Sequence, residues 1–209
     1  SIGICICPTD GVDPEVLLKR ADEAMYHAKQ TGRNKYQFYK ESLNQSALEH
    51  FSIEQALKKG LEEEEFVLFY QPQVDLLAGR VTGVEALLRW RNPELGLVYP
   101  ATFIPVAEHN GLIQGIGAWV LHTACCQVQE WHRQGLGATR LAVNLSPLQF
   151  ADANLVSDVN GALAESGLDA RSLELEITET ALMQNLEQAT ALMRQLKEHG
   201  VKLAIDDFG

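Results

Sequence analysis

Hydrophobic and polar residues alternate at the start of the chain, in the pattern of a short β-strand. Residues 1–7 (SIGICIC) are rich in β-branched side chains, and a Pro-Thr-Asp-Gly turn follows them. Asp13 then indicates a helix N-cap with Pro14 in the first helical position, and apolar residues recur behind them at helical spacing. Residues 35–39 predict a second short strand. The pattern therefore predicts a strand-helix-strand unit over residues 1–40, which is too small to hold a core alone.

The pattern changes near residue 40, where we place a domain boundary. A polar stretch at 41–50 predicts a linker that runs into a helix, and strands then alternate with helices over residues 51–209. The predicted strands are 66–74, 81–90, 141–145, 173–178 and 201–206, and the predicted helices are 101–109, 113–134, 153–166 and 185–199. Such alternation implies a parallel sheet with right-handed crossovers, and therefore an α/β fold.

Polar residues interrupt the predicted strands near their C-terminal ends. These residues are Glu85, Asn144, Glu176, Asp206 and Asp207. Asn144 and Glu176 are 32 positions apart, and Glu176 and Asp206 are 30 apart, which is the length of one strand-helix unit. Because the C-terminal ends of barrel strands converge, we expect these side chains to lie close together. A buried acid paired with its own cation is the alternative for each of them, but the repeated placement favours one metal site.

The candidate ligands are all oxygen atoms, and such sites suit Mg²⁺ or Mn²⁺ rather than zinc. The adjacent Asp206 and Asp207 could serve two ions, an arrangement that supports phosphodiester hydrolysis. Arg89 shares a strand face with Glu85 and can form paired hydrogen bonds with a phosphate. A structural role for Arg89 is the alternative.

Composition narrows the range of partners and compartments. Acidic residues number 28 against 17 basic ones, and the formal charge of −11 argues against a nucleic-acid polymer or an anionic membrane surface. No apolar run in these 209 residues is long enough for a membrane span, and they contain no basic-then-apolar pattern of the kind that a leader has. The four cysteines lack metal-site spacing, and we expect them to be the buried, reduced thiols of a cytoplasmic protein.

Five motifs, in this order and spacing, resemble the EAL domain, the bacterial cyclic-di-GMP phosphodiesterase family, over residues from about 48 to 209. They are Tyr70-Gln71-Pro72, Glu85-Ala86-Leu87-Leu88-Arg89-Trp90, Asn144-Leu145-Ser146, Glu176-Ile177-Thr178-Glu179 and Asp206-Asp207-Phe208-Gly209. The resemblance implies an incomplete TIM-like (β/α) barrel with one antiparallel strand. It also implies hydrolysis of cyclic-di-GMP to linear pGpG with two Mg²⁺ or Mn²⁺ ions.

The resemblance implies roles for individual residues as well. Metal ligands would be Glu85, Asn144, Glu176, Asp206 and Asp207. Asp206 and Asp207 would be catalytic together with Glu179, whose carboxylate would anchor the loop after the aspartate pair. Substrate contacts would come from Gln71, Leu87 and Arg89.

Residues 1–40 resemble the C-terminal end of a GGDEF, or diguanylate cyclase, domain. The matching strings are Ser1-Ile2-Gly3-Ile4, Asp10-Gly11, Ala21-Asp22-Glu23-Ala24-Met25-Tyr26, Ala28-Lys29 and Gly32-Arg33-Asn34. The resemblance implies that Lys29 and Arg33 are vestigial phosphate contacts, and a solvated basic helix end is the alternative. The loop that carries the cyclase metal ligands is absent, so we expect no cyclase activity.

We expect the chain to be an internal piece of a longer protein, because it begins with Ser1 and ends directly after Asp-Asp-Phe-Gly. The family has further strands with a catalytic Lys, another metal-ligating Glu and a late Gln, so we expect the 209 residues alone to be inactive. For the parent protein we expect a phosphodiesterase. The alternatives are a degenerate EAL domain that serves as a cyclic-di-GMP receptor or protein-docking module, and an unrelated metal-dependent barrel enzyme. The resemblance allows a homodimer through this domain and leaves open a membrane tether outside these residues.

Overall fold

The computed structural model describes residues 1–30, 34–40, 42–136, 139–183 and 185–206, and only the backbone at 30, 42–51 and 180. The chain divides into two compact units, residues 1–55 and residues 56–209. One long helix, α2 (Ser42–Glu62), runs across this division, in the region where the sequence predicted a linker running into a helix. No helix in these ranges is long and apolar enough to cross a membrane.

The first unit contains the predicted strand, helix and strand. Strands β1 (Ile2–Ile4) and β2 (Tyr36–Phe38) pair in parallel, and helix α1 (Pro14–Gln30) connects them. Strand β1 is shorter than predicted, because the chain turns early: the backbone N–H of Ile6 donates to a carboxylate oxygen of Asp10 at 2.7 Å. Gly3 permits close packing on α1, since a Cβ there would lie 1.9 Å from the carbonyl oxygen of Ala21.

The second unit is built on a six-stranded mixed sheet. Its strands are β3 (Phe66–Asp75), β4 (Arg80–Asn92), β5 (Gly96–Val98), β6 (Arg140–Leu145), β7 (Leu173–Thr178) and β8 (Lys202–Asp206). The order is β3-β4-β6-β7-β8, with β5 paired to the end of β4. β4, β6, β7 and β8 run parallel, whereas β3 and β5 are antiparallel to β4. The parallel sheet with an antiparallel strand is as predicted, and the short β5 is a second antiparallel strand that was not predicted.

Helices connect the parallel strands. They are α3 (Pro100–His109), α4 (Ile113–Arg133), α5 (Pro147–Phe150), α6 (Leu155–Ser166), α7 (Glu179–Met183) and α8 (Leu186–Glu198), with a 3₁₀ turn at Ala170–Ser172. The apolar side chains of the central strands lie in the core, among them Leu141, Val143, Leu175 and Ile177. Since side chains alternate along a strand, the polar residues between them lie on the opposite face of the sheet.

An aromatic cluster joins the hairpin β3–β4 to the helices. Phe66 lies 6.1 Å from Trp90 and 5.8 Å from Phe103, measured between ring centroids. The indole N–H of Trp90 donates to the carboxylate of Glu65 at 2.8 Å, and the Asn92 amide donates to the same oxygen at 3.2 Å. These contacts fix the end of β4, the strand that carries the EAL-like motif.

The cysteines are all free, as predicted, but they are not all buried. Cys125 is buried, Cys5 and Cys126 are partly buried, and Cys7 is exposed. Cys7 lies beyond the end of β1, at the start of the turn that Asp10 and Gly11 close, so the expectation of four buried thiols is wrong.

Candidate metal and phosphate site

Four of the predicted ligands lie on one face of the sheet, at successive strands. The register pairs Glu85 with Ala142, Asn144 with Glu176, and Thr178 with Asp206. Directly paired residues point to the same face, so Glu85, Asn144, Glu176 and Asp206 form a diagonal row that rises towards the C-terminal ends of the strands. The parallel register therefore brings these four side chains together, although they are up to 121 positions apart in the chain.

One hydrogen bond and one raised pKa describe the electrostatics of this row. The side-chain amide of Asn144 donates to a Glu85 carboxylate oxygen at 2.7 Å. Burial raises the pKa of Glu176, and the nearby carboxylates of Glu85 and Asp206 raise it further. The row is therefore a place where negative charges repel one another.

A divalent cation suits this row by its chemistry. The side chains offer carboxylate and amide oxygens, which are ligands of Mg²⁺ and Mn²⁺, and a cation would relieve the repulsion that raises the pKa of Glu176. Among the described residues, no three acidic, histidine or cysteine side chains converge on a single ion position. The case for a divalent cation therefore rests on the oxygen donor atoms of the four side chains and on their common face of the sheet.

Arg140, the first residue of β6, lies on the same face of the sheet as the row, on its N-terminal side. Arg140 donates to the side-chain oxygen of Gln73 at 3.0 Å and forms an ion pair with Glu174 at 3.5 Å. Gly83 leaves room for this contact, because a Cβ there would lie 2.8 Å from the Gln73 oxygen. Arg140 also opposes the rise in the pKa of Glu176. Sequence reasoning missed Arg140, although alternation places it on the face of Asn144.

Arg89 lies further along β4, beyond Glu85 and Leu87 on the same face. Its guanidinium donates to the backbone carbonyl of Leu88 at 2.7 Å. The guanidinium carbon also lies 5.0 Å from the ring centroid of Tyr99 and 5.7 Å from that of Phe69. Tyr99 and Phe69 were not among the predicted site residues.

The remaining predicted substrate residues lie on β3 and β4. Gln71 is exposed and pairs directly with Glu85 across the β3–β4 hairpin, so both side chains lie on one face. Leu87 is partly buried and pairs with Phe69. Their contact with substrate stays a prediction.

The other predicted residues do not belong to the row. Glu179 is exposed and begins the short helix α7, three positions beyond Glu176. Lys29 is exposed in the last turn of α1, in the first unit. Asp207 and Arg33 lie outside the described residues.

Comparison with known families gives two matches. The EAL domain model matches residues 54–209, and the model of the diguanylate cyclase GGDEF domain matches residues 1–35. EAL domains are in general dependent on divalent metal ions.

Curated relatives match along the whole chain. The bifunctional diguanylate cyclase/cyclic di-GMP phosphodiesterase MucR of Pseudomonas aeruginosa is 46% identical over 209 residues, and the cyclic di-GMP phosphodiesterase NbdA of the same organism is 42% identical. The chain spans 30% of the length of MucR and 27% of that of NbdA.

Solved structures of EAL domains share the fold. The PaMucR phosphodiesterase in complex with c-di-GMP superposes with a TM-score of 0.73 at 44% identity, covering 76% of this chain and 64% of that one. The FimX EAL domain from Pseudomonas aeruginosa bound to c-di-GMP gives a TM-score of 0.67 at 31% identity, covering 75% and 62%. These neighbours confirm the predicted fold class, a TIM-like barrel of which the described residues form an open α/β sheet.

Proposed function

Because this chain belongs to the EAL domain family, we propose that it carries the metal and phosphate side of an active site that hydrolyses cyclic-di-GMP to linear pGpG. The observation that carries the proposal is the diagonal row of Glu85, Asn144, Glu176 and Asp206 on one face of the parallel strands. The names of MucR and NbdA support the same substrate.

The row would hold two Mg²⁺ or Mn²⁺ ions, with the adjacent Asp207 as a ligand of the second ion. A bound ion of this kind neutralises phosphate charge and lowers the pKa of a coordinated water. Hydrolysis would add the hydroxyl of water to one phosphorus atom and break the bond to its 3′ oxygen, which would take up the proton, so that the product is linear pGpG.

The chain's own side chains orient the reacting groups. The amide of Asn144 fixes the Glu85 carboxylate through their 2.7 Å hydrogen bond, which leaves the other carboxylate oxygen of Glu85 for an ion. Arg89 would bind a phosphate of the substrate, with Gln71 and Leu87 beside it. Glu179 would hold the loop that follows Asp207.

The test is to measure pGpG formation by the full-length protein with Mg²⁺, with Mn²⁺, with Ca²⁺ and with excess chelator. We expect turnover with the first two ions and little with Ca²⁺, whose larger and looser coordination shell positions water poorly. Glu85→Gln should lower turnover by about 100-fold or more. Glu94→Gln, an exposed glutamate in the turn after β4, is the matched control and should retain activity.

Full activity in excess chelator would contradict the metal mechanism. Binding of cyclic-di-GMP without any pGpG, measured by calorimetry beside product chromatography, would contradict the enzyme and favour a receptor.

A further inference from the structure

The guanidinium of Arg89 is held at three points by neutral groups. The carbonyl oxygen of Leu88 accepts a hydrogen bond from it at 2.7 Å, and the rings of Tyr99 and Phe69 lie 5.0 and 5.7 Å from its central carbon. The two rings come from different elements, since Phe69 is in β3 and Tyr99 immediately precedes α3. A flexible side chain is thereby fixed by groups on both sides of β4.

Within the part of the chain that the structure describes, no carboxylate compensates the charge of Arg89. None of the ion pairs formed among the described residues includes Arg89. An aromatic face attracts a guanidinium through its quadrupole but carries no net charge. The rings therefore fix the position of the cation and leave its full charge, and its remaining N–H groups, for an anionic ligand.

The two aromatic side chains are also more exposed than a packing role requires. Tyr99 is 58% exposed and Phe69 is 46% exposed, whereas the aromatic residues of the core, such as Trp90 and Phe103, are 0% exposed. Phe69 pairs with Leu87, so it stands on the same face of the sheet as Glu85. The rings thus border the face that carries the proposed metal ligands.

We propose that Tyr99 and Phe69 are positioning residues that hold the guanidinium of Arg89 ready for a phosphate group of the substrate. The inference rests on the proposed function. Arginine has several rotatable bonds, and a side chain that is already ordered loses less conformational entropy when it binds. Tyr99, whose ring is nearer, should contribute more than Phe69.

The first test is a double-mutant cycle on cyclic-di-GMP affinity in the full-length protein. Tyr99→Leu should weaken binding by about two- to fivefold, the loss of one cation–π contact, and Tyr99→Phe should retain it. In the Arg89→Ala background, Tyr99→Leu should have no further effect, because the group that it positions is gone. An equal loss in both backgrounds, or no loss in either, would overturn the proposal.

The second test needs no substrate. The rate at which phenylglyoxal modifies Arg89, followed by peptide mass spectrometry, should increase by about two- to fivefold in Tyr99→Leu. The matched control is Tyr36→Leu, at a similarly exposed tyrosine whose ring contacts Phe38, and it should leave the rate unchanged. An unchanged Arg89 rate in Tyr99→Leu would overturn the positioning role. If the rate responds but the wild-type protein binds no cyclic-di-GMP, the proposed function fails and the positioning role stands.

Discussion

At the scale of single residues, Glu176 and Glu179 differ in their surroundings, although only two residues separate them. Glu176 is partly buried on β7, and its pKa is raised by burial and by the carboxylates of Glu85 and Asp206. Glu179 is exposed at the start of α7. Of the two, Glu176 is the one whose charge a divalent ion would stabilise.

We therefore expect Glu176→Gln to abolish metal-dependent turnover and to weaken metal binding, because it removes a ligand charge. The metal-free protein should melt no lower than the wild type, since the substitution relieves repulsion. Glu179→Gln should impair turnover with a smaller effect on metal affinity. Metal titration by calorimetry measures both variants, and equal losses of metal affinity would contradict the separate roles.

The candidate site could be predicted from the sequence only where alternation and strand spacing determine it. The common face of Glu85, Asn144, Glu176 and Asp206 follows from a period of two along each strand, with 59 positions from Glu85 to Asn144 and about 30 between each later pair. The contacts of Arg140 with Gln73, and of Arg89 with Tyr99, depend on strand register and on where α3 begins. No periodicity encodes those two features.

At the scale of elements, the packing of α4 against α5 depends on one glycine. A Cβ on Gly117 would lie 1.6 Å from the side-chain nitrogen of Gln149. Gln149 is 8% exposed and forms the capping box of α5 with Ser146. Any side chain at position 117 would displace Gln149 and break that capping box.

Gly117→Ala should therefore lower the free energy of unfolding by about 1–3 kcal/mol, although alanine is the better helix former. The matched control is Gly161→Ala in α6, where a Cβ would meet nothing within 4 Å. That change should stabilise by about 0.5–1 kcal/mol. Urea denaturation compares the two variants, and equal effects would refute the role of the close approach.

Elements that lie in a clearly periodic part of the sequence could be predicted, whereas β5, α5 and α7 could not. Strand β7 begins and ends as predicted, and α4 ends one residue earlier than predicted. Strand β5 has three residues, too few for a period to show. It exists because the Asn92 side chain accepts hydrogen bonds from the N–H groups of Glu94 and Leu95 and so closes a tight turn.

At the scale of the whole molecule, a partly buried tyrosine and a buried cysteine make the folded protein less stable at high pH. Burial raises the pKa of Tyr70 to about 12 and that of Cys125 to about 12. Each group ionises in the unfolded chain near its ordinary pKa of 10.0 or 9.0, while the folded protein keeps the proton. Their contribution to stability is complete below pH 9 and is lost as the pH rises towards 12.

We accordingly expect the melting temperature to fall steeply between pH 9 and pH 12, and to fall less in Tyr70→Phe. Tyrosinate absorbance near 295 nm should show a step near pH 12, and this step should be missing from the variant. Tyr36→Phe, at an exposed position, is the control. If Tyr70→Phe titrates like the wild type, the assignment to Tyr70 is wrong.

The order of strands across the main sheet, β3-β4-β6-β7-β8, is also their order along the chain. On the ribosome, each parallel strand that emerges therefore finds its neighbour already made, and the sheet can grow at one side as synthesis proceeds. Glu85 is in place with the first hairpin, whereas Asp206 arrives on the last of these strands. A nascent chain consequently forms the first strands of the sheet, with Glu85, long before Asp206 joins the proposed metal ligands.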